Sequence, residues 1–287
     1  MYIADDWQEY EVIDTGEGMK YERWGQVYLL RPDPQVIWPY EEKPQRIDAR
    51  YTRSDKGGGA WEYFRSVPES WHLHWRELTL LVRPMGFKHT GVFPEQAVNW
   101  AWMMDKIRGA GREISVLNLF GYTGAATVAC AAAGARVCHV DAAKNMVAQG
   151  KENLALSGLA DRPVRWIVDD CQKFVQREIR RGNRYDAILM DPPSYGRGPG
   201  GEIWKLENEL FAFVQLCTQV LSDQPLFVLI NSYTTGLQPL VIQNILKKTV
   251  AARCGGYAEA AEVALPVTKG GVFLPCGASG RWEARKG

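Results

Sequence analysis

Between Ile114 and Arg253, short apolar runs and longer helical stretches follow one another five times. The predicted strands are 114–120, 136–140, 164–168, 185–190 and 226–230. Each is followed by a predicted helix: 123–132, 142–157, 172–181, 206–221 and 238–253. Near-continuous apolar runs mark strands buried on both faces, and one helix between successive strands makes those strands parallel. The pattern then changes. Residues 259–265 and 271–275 read as two adjacent strands with no helix between them, a final antiparallel hairpin. The prediction is an α/β domain with a doubly wound, mostly parallel, seven-stranded sheet.

The first 90 residues read differently. Runs at 10–14, 21–24, 26–30 and 36–38 are short strand signals separated by Gly25, Pro32, Pro34 and Pro39. Residues 53–59, R-S-D-K-G-G-G, have the composition of a loop. Residues 71–78 alternate, with Trp71, Leu73 and Trp75 on one face and His72, His74 and Arg76 on the other, and 79–82 follow as a further strand signal. This predicts a small antiparallel β domain over 1–90 and an α/β domain over 91–287. A helix over 95–108, with apolar residues at three- and four-residue spacing, leads into the second. Most of the eleven Trp lie before Ile114. Aromatics suit stacking on bases, but packing a small β core is the simpler account for most of them.

The net charge of +1 does not mark a nucleic-acid binder, though it permits a local basic patch. One candidate is Arg177, Arg180, Arg181 and Arg184, clustered at one helix end. They could contact phosphates, or be a solvated terminus with favourable dipole placement. None of the six Cys forms a C-x-x-C pair, and several sit in apolar runs. Free thiols in a reducing compartment are expected, with no metal site. The N-terminus, M-Y-I-A-D-D-W, carries neither a basic nor an apolar signal region, and no apolar stretch reaches bilayer length. A cytoplasmic protein without a membrane partner is expected.

In a doubly wound sheet, ligands sit outside the carboxyl ends of the strands. Four such ends carry chemistry. After the first strand comes G-Y-T-G, Gly121 to Gly124, a turn that lets backbone N–H groups approach a ligand. It is not G-x-G-x-x-G, which counts against NAD. Asp141 ends the second strand, about 20 residues beyond Gly121, where an acid can accept from both hydroxyls of a ribose or cap the next helix. Asp169-Asp170-Cys171 follow the third strand. One acid could accept from an exocyclic amine of adenine while the other caps a helix; Asp170 is favoured for adenine. After the fourth strand comes D-P-P-S-Y, Asp191 to Tyr195. Two prolines stiffen the loop and leave an acid, carbonyls and an aromatic ring at one place.

Together, L-N-L-F-G-Y-T-G (Leu117 to Gly124), V-D (Val140, Asp141), D-C (Asp170, Cys171) and D-P-P-S-Y resemble the S-adenosylmethionine-dependent methyltransferases. Within them, the chain is most similar to bacterial 23S rRNA methyltransferases that modify cytosine C5 or guanine N7. The stretch G-F-K-H-T-G-V-F-P-E-Q, Gly86 to Gln96, resembles the segment preceding their cofactor domain. The resemblance implies S-adenosyl-L-methionine as cofactor and RNA as substrate. It implies cofactor contacts from Phe120, Gly121, Tyr122, Thr123, Gly124, Asp141, Ala142, Asp170, Cys171 and Asp191. It implies substrate contacts from Pro193, Ser194 and Asn231. The catalytic set is Asp191, Pro192 and Tyr195. The chain departs from the resemblance in two places: the family often has an Asp before the Gln near Gln96, where this chain has Pro94 and Glu95, and the second departure is from the cytosine-C5 members. Where they carry a nucleophilic Cys after the fifth strand, it has Asn231, Ser232 and Tyr233. Direct in-line transfer to a nitrogen, without a covalent Cys intermediate, is therefore expected. The rival readings are a protein or small-molecule acceptor, an NAD-dependent oxidoreductase, and an RNA-binding module without catalysis.

Overall fold

The computed structural model describes residues 1–54, 58–197, 203–234 and 236–285. Asp55, Lys56 and Gly57, in the middle of the predicted 53–59 loop, lie outside the described residues. The chain forms two compact units. One comprises Tyr2–Val98 and Val263–Cys276; the other comprises Met1, Asn99–Glu262 and Gly277–Gly287.

In the first unit, β1 is Tyr2–Ile3, β2 Tyr10–Gly16, β3 Met19–Trp24, β4 Val27–Pro32, β5 Ala49–Arg53 and β6 Gly59–Tyr63. Strands β2 to β6 form a five-stranded sheet in chain order. Its pairs are antiparallel except β4 with β5, which run parallel because residues 33–48 cross over between them. The predicted strand at 36–38 is not one. Prolines flank it, and it docks by carbonyls instead: Val36 accepts from Gly18 N–H and Trp38 from Glu17 N–H. Strands β7, Trp71–Trp75, and β8, Leu78–Val82, form a hairpin with Leu73 and Trp75 buried and His72 and His74 exposed, as the alternation predicts, but the run breaks after Trp75, where Arg76 has φ 48° and turns the chain.

Helix α1, Ala97–Arg108, leads to the α/β elements. These are β9 Ser115–Leu119, α2 Ala125–Ala132, β10 Arg136–Asp141, α3 Lys144–Leu156, β11 Val164–Val168 and α4 Cys171–Arg181. Then come β12 Ala187–Met190, β13 Tyr195–Arg197, β14 Ile203–Lys205, α5 Leu206–Cys217, β15 Phe227–Ser232, α6 Pro239–Leu246, α7 Ala252–Cys254, β16 Tyr257–Pro266 and β17 Phe273–Glu283. A π-helical segment, Lys247–Ala251, joins α6 to α7, so the predicted 238–253 helix is continuous but bulged. No helix among the described residues is long and apolar enough to cross a membrane.

The large sheet has the order β1-β16-β17-β15-β12-β9-β10-β11. Strands β9, β10, β11, β12 and β15 pair in parallel, and β17 inserts antiparallel beside β15. Seven strands follow the predicted plan. An eighth, β1, is too short to give a strand signal and pairs with Val263 and Ala264. Strand β17 runs well past the predicted 271–275, through G-A-S-G-R-W-E, which reads as turn-rich. The small residues are there for packing: a Cβ on Gly280 would lie 2.4 Å from Ile242 of α6. Strand β9 lies between β10 and β12, so the chain order reverses on either side of it. The carboxyl ends of β9, β10 and β12 therefore flank the switch-point crevice.

Candidate active site

The loop leaving β9 turns sharply. Phe120 and Tyr122 both have left-handed backbone, with φ of 56° and 51°. Non-glycine residues hold that conformation only where the surroundings over-determine it. Gly121 between them lies flat on the imidazole of His139: a Cβ there would be 2.3 Å from Cε1 and 2.5 Å from Nδ1. His139 is fully buried on β10. Asn118 Nδ2 donates to Thr127 Oγ1 at 2.9 Å, leaving the Thr127 proton for His139 Nδ1, 2.9 Å away. Burial pushes the imidazole pKa down to about 3. The ring is thus a neutral wall behind the loop rather than an acid or base.

The next two residues are held by α3. Asn153 Nδ2 donates to the Thr123 carbonyl at 2.8 Å. Gly124, φ 78°, faces Gly150, and a Cβ on Gly150 would be 2.5 Å from the Trp166 ring. From beneath, the Cys171 thiol accepts the Phe120 N–H at 3.3 Å. Burial raises that thiol's pKa well above its ordinary value, so Cys171 supports the loop and is a poor nucleophile.

Asp141 ties the loop to α3. Its Oδ2 accepts from Tyr122 N–H and its Oδ1 from Ala143 N–H, each at 2.8 Å. Ala142 is exposed between them. A carboxylate offers about four lone-pair sites, so capacity remains on both oxygens for further donors. Burial raises the Asp141 pKa, and the two amide bonds only partly offset it. Asp170 is the N-cap of α4, accepting from Lys173 N–H at 2.8 Å through Oδ1. Asp169 accepts from Asp170 N–H through Oδ1 and pairs with Arg177 through Oδ2.

The D-P-P-S-Y segment leaves β12 beside this loop, with Asp191 N–H donating to the Leu119 carbonyl at 3.3 Å. Pro192 is buried, and Pro193, Ser194 and Tyr195 are exposed. Trp204 Nε1 donates to the Pro193 carbonyl at 2.7 Å, and Leu206 N–H donates to the Ser194 carbonyl at 3.1 Å. Ser194 Oγ lies 2.6 Å from Thr234 Oγ1, joining this segment to the loop after β15. Tyr195 opens the β13–β14 hairpin and is half exposed.

Phe120 to Gly124, Asp141, Asp170 and Asp191 to Tyr195 thus come together at the carboxyl ends of neighbouring strands. Asn231 follows Ile230, the register partner of Met190, and belongs to a further network. It is buried, and its Oδ1 accepts from Ser279 Oγ at 2.7 Å and Asn99 Nδ2 at 3.3 Å. Asn99 Oδ1 in turn accepts from Arg281. The network joins α1 to β15 and β17. Arg180 and Arg181 close α4, about 15 Å along the helix from Asp170 at 1.5 Å per residue, and Arg184 follows the Gly182 cap. There Arg165 and Arg181 share the fully buried Glu178 carboxylate.

His139, Asn153, Trp204 and Thr234 escape the sequence reading. His139 sits in R-V-C-H-V-D, where a lone polar residue in an apolar run carries no positional meaning. Asn153 is the more findable, as a polar residue on the buried face of an otherwise amphipathic helix.

A family model described as S-adenosylmethionine-dependent methyltransferase matches residues 48–218. Among curated proteins, the "Ribosomal RNA large subunit methyltransferase K/L" of Marinobacter nauticus is 28% identical over 204 residues, 70% of this chain and 27% of that protein. The protein of the same name from Shewanella frigidimarina is 34% identical over 126 residues, 43% of this chain and 17% of that protein. The matches therefore span about a quarter or less of the length of these curated relatives. Among solved structures, a SAM-dependent methyltransferase from Agrobacterium tumefaciens is 36% identical with a TM-score of 0.92, covering 99% of this chain and 93% of that one. A chain crystallised with SAH has a TM-score of 0.72 at 17% identity, covering 96% of this chain and 76% of that one, a likeness of fold. The chain belongs to the S-adenosylmethionine-dependent methyltransferase family.

Proposed function

We propose that this methyltransferase acts on a nucleobase nitrogen in RNA of the large-subunit ribosomal kind, by direct in-line transfer and without a covalent Cys intermediate. The observation that carries the reading is the D-P-P-S-Y segment beside the G-Y-T-G loop, where the Asp191 N–H bonds to Leu119, the residue before Phe120.

The cofactor's residues fit it on structural grounds. Gly121 leaves the loop flat where a side chain would strike His139. Asp141 keeps acceptor capacity for ribose hydroxyls after serving two amides. Asp170 commits Oδ1 to the α4 cap, whereas both Asp169 oxygens have partners, which favours Asp170 for the adenine amine. S-adenosylmethionine, when bound, supplies an electrophilic methyl group on a sulfonium.

The protein's task is then orientation, which can contribute up to roughly 7–11 kcal/mol in the best intramolecular cases. The Asp191 carboxylate and the Pro192 carbonyl accept from the acceptor's N–H groups and aim the nitrogen lone pair. Asp191 takes the proton as that lone pair is consumed. Tyr195, half exposed, offers a ring on which the base stacks. Pro193, Ser194 and Asn231 are the proposed contacts to the rest of the nucleotide, with Asn231 acting from within its buried network. The chain has Asn231, Ser232 and Tyr233 where a Cys nucleophile would stand, which supports transfer without a covalent intermediate. A base in a duplex would have to leave its stack to reach the site. Such a substrate goes with a cytoplasmic location. The names of the curated relatives support RNA as the acceptor class.

The test is tritium-methyl transfer from labelled cofactor into RNA, protein and small-molecule fractions of a strain lacking this protein. Label in RNA is expected; label confined to another fraction overturns the RNA reading. Asp191→Ala is expected to abolish most transfer even when the cofactor is saturating. Retained turnover would remove Asp191 from the mechanism.

A further inference from the structure

Trp204 stands against both loops of the site. Its indole N–H donates to the Pro193 carbonyl at 2.7 Å. Its ring lies against Phe120, with centroids 5.6 Å apart at 49°, and edge-on to Phe213, 5.7 Å apart at 90°. One side chain therefore touches the left-handed residue of the cofactor loop and the main chain of the acceptor loop. It also pairs with Gly196, two residues beyond Ser194, across the β13–β14 hairpin.

Asp191-Pro192-Pro193-Ser194 is unusual in how its backbone can be fixed. Both prolines have φ set by their rings and neither has an N–H to bond. The remaining freedom is in the ψ angles, and a bond to a carbonyl of the segment restricts it. Among the described residues, Trp204 is the donor to the Pro193 carbonyl, and Leu206 the donor to that of Ser194. Asp191 is anchored upstream by its N–H on the Leu119 carbonyl, so a bond to the Pro193 carbonyl holds both ends of the Pro-Pro step, and the planar peptides and fixed φ angles between them leave the Pro192 carbonyl little range. The Pro193 carbonyl is turned to the indole and thereby removed from the acceptor's side.

We infer that Trp204 is a positioning residue for the acceptor: its indole N–H sets the direction of the Pro192 carbonyl and Asp191. This rests on the proposed role of D-P-P-S-Y in holding the acceptor.

The test is Trp204→Phe, which keeps an aromatic ring against Phe120 and Phe213 and removes only the donor. Three quantities are measured beside the parent: amide hydrogen exchange, S-adenosylhomocysteine affinity, and kcat and KM on unmodified 23S rRNA transcribed in vitro. Exchange at Ser194, Tyr195 and Gly196 is expected to rise about tenfold, while that of 115–119 and 136–141 stays unchanged and reports an intact sheet. Affinity for S-adenosylhomocysteine stays within twofold. Turnover falls about tenfold in kcat with KM changed less than threefold, because the acceptor binds but is misaimed. Unchanged exchange at 194–196 overturns the inference, as does loss of S-adenosylhomocysteine affinity in step with turnover. If the parent itself transfers no label to this RNA, the RNA reading fails, and the exchange at 194–196 alone decides for or against Trp204.

Discussion

Gly121→Ala adds one methyl group at a confined point of the proposed cofactor loop. The new carbon would sit 2.3 Å from His139 Cε1, against an ordinary contact of about 3.5–4.0 Å, an overlap of more than about 1 Å. The imidazole has little room to retreat. It is fully buried, Thr127 fixes one side, and its ring lies 4.7 Å from that of Trp166. The loop must therefore move, at an overpacking cost of about 1–3 kcal/mol. Gly121 has no positive φ, so backbone strain adds nothing to this figure. A loop shift of about that size would also stretch the 2.8 Å bond from Tyr122 N–H to Asp141 beyond hydrogen-bonding range. We expect S-adenosylhomocysteine affinity to fall about 10–100-fold by calorimetry, each tenfold being about 1.4 kcal/mol. The melting temperature should fall by about 2–4 °C per kcal/mol. His139→Ala, combined with Gly121→Ala, removes the obstruction, so the double variant should recover at least about 1 kcal/mol relative to the sum of the single effects. Strict additivity of the two changes, or a Gly121→Ala protein that binds and melts like the parent, would refute the argument from the 2.3 Å contact.

Two further outcomes follow from single carboxylates. Asp141→Asn must turn an amide N–H toward one of two backbone donors, so one of the bonds to Tyr122 and Ala143 is lost. Charge-assisted bonds of this kind are worth about 1.5–3 kcal/mol, and calorimetry should show S-adenosylhomocysteine affinity lowered by about 10–100-fold; an unchanged affinity would exclude Asp141 from the cofactor site. Asp186, where β12 begins, is pushed up by burial, but bonds from Ser115 N–H, Ser222 and Arg112 outweigh this and hold its pKa below the ordinary value. An acid depressed in the folded state stabilises above its unfolded pKa of about 3.9 and loses that contribution as pH falls through the folded value. Denaturant midpoints of the parent should therefore drop below about pH 4, and Asp186→Asn should be weaker at neutral pH with a flatter acid limb. Parallel acid limbs would rule Asp186 out as a source of the dependence.

The α/β half was legible because its signal is redundant: five apolar runs alternate with five helices, and the β11 and α4 boundaries fall within a residue of those read from periodicity. The acids at strand ends were legible for the same reason, since a strand's end fixes where the next residue lies. What failed were segments whose structure is dictated from elsewhere. Strand β13 is three residues long and contains a glycine; only its pairing with β14 makes it a strand. Residues 36–38 carry β-branched and aromatic residues, yet Val36 bonds its N–H back to Asp33 while Val36 and Trp38 offer their carbonyls to Gly18 and Glu17, so no ladder forms. Asn231 stands near the end of β15, and its oxygen accepts from Asn99 and Ser279, the latter 48 residues further along the chain, a network that no local pattern announces. The roles of His139 and Trp204 come from what they press against, and no local pattern encodes that.

The antiparallel insertion of β17 also bears on how the chain is made. Strand β15 is buried along all six residues, and its outer neighbour is β17, which follows β16 in sequence. A ribosome delivers the chain from its N-terminus. Until Phe273–Glu283 has emerged, the half-sheet carrying every proposed cofactor contact ends in an uncovered edge, F-V-L-I, with unpaired amides and carbonyls. Such an edge is a template for pairing with another nascent chain. Evolution of this enzyme is thus constrained in a region remote from its chemistry: the last strand is both the lid on β15 and the guard against its misassembly.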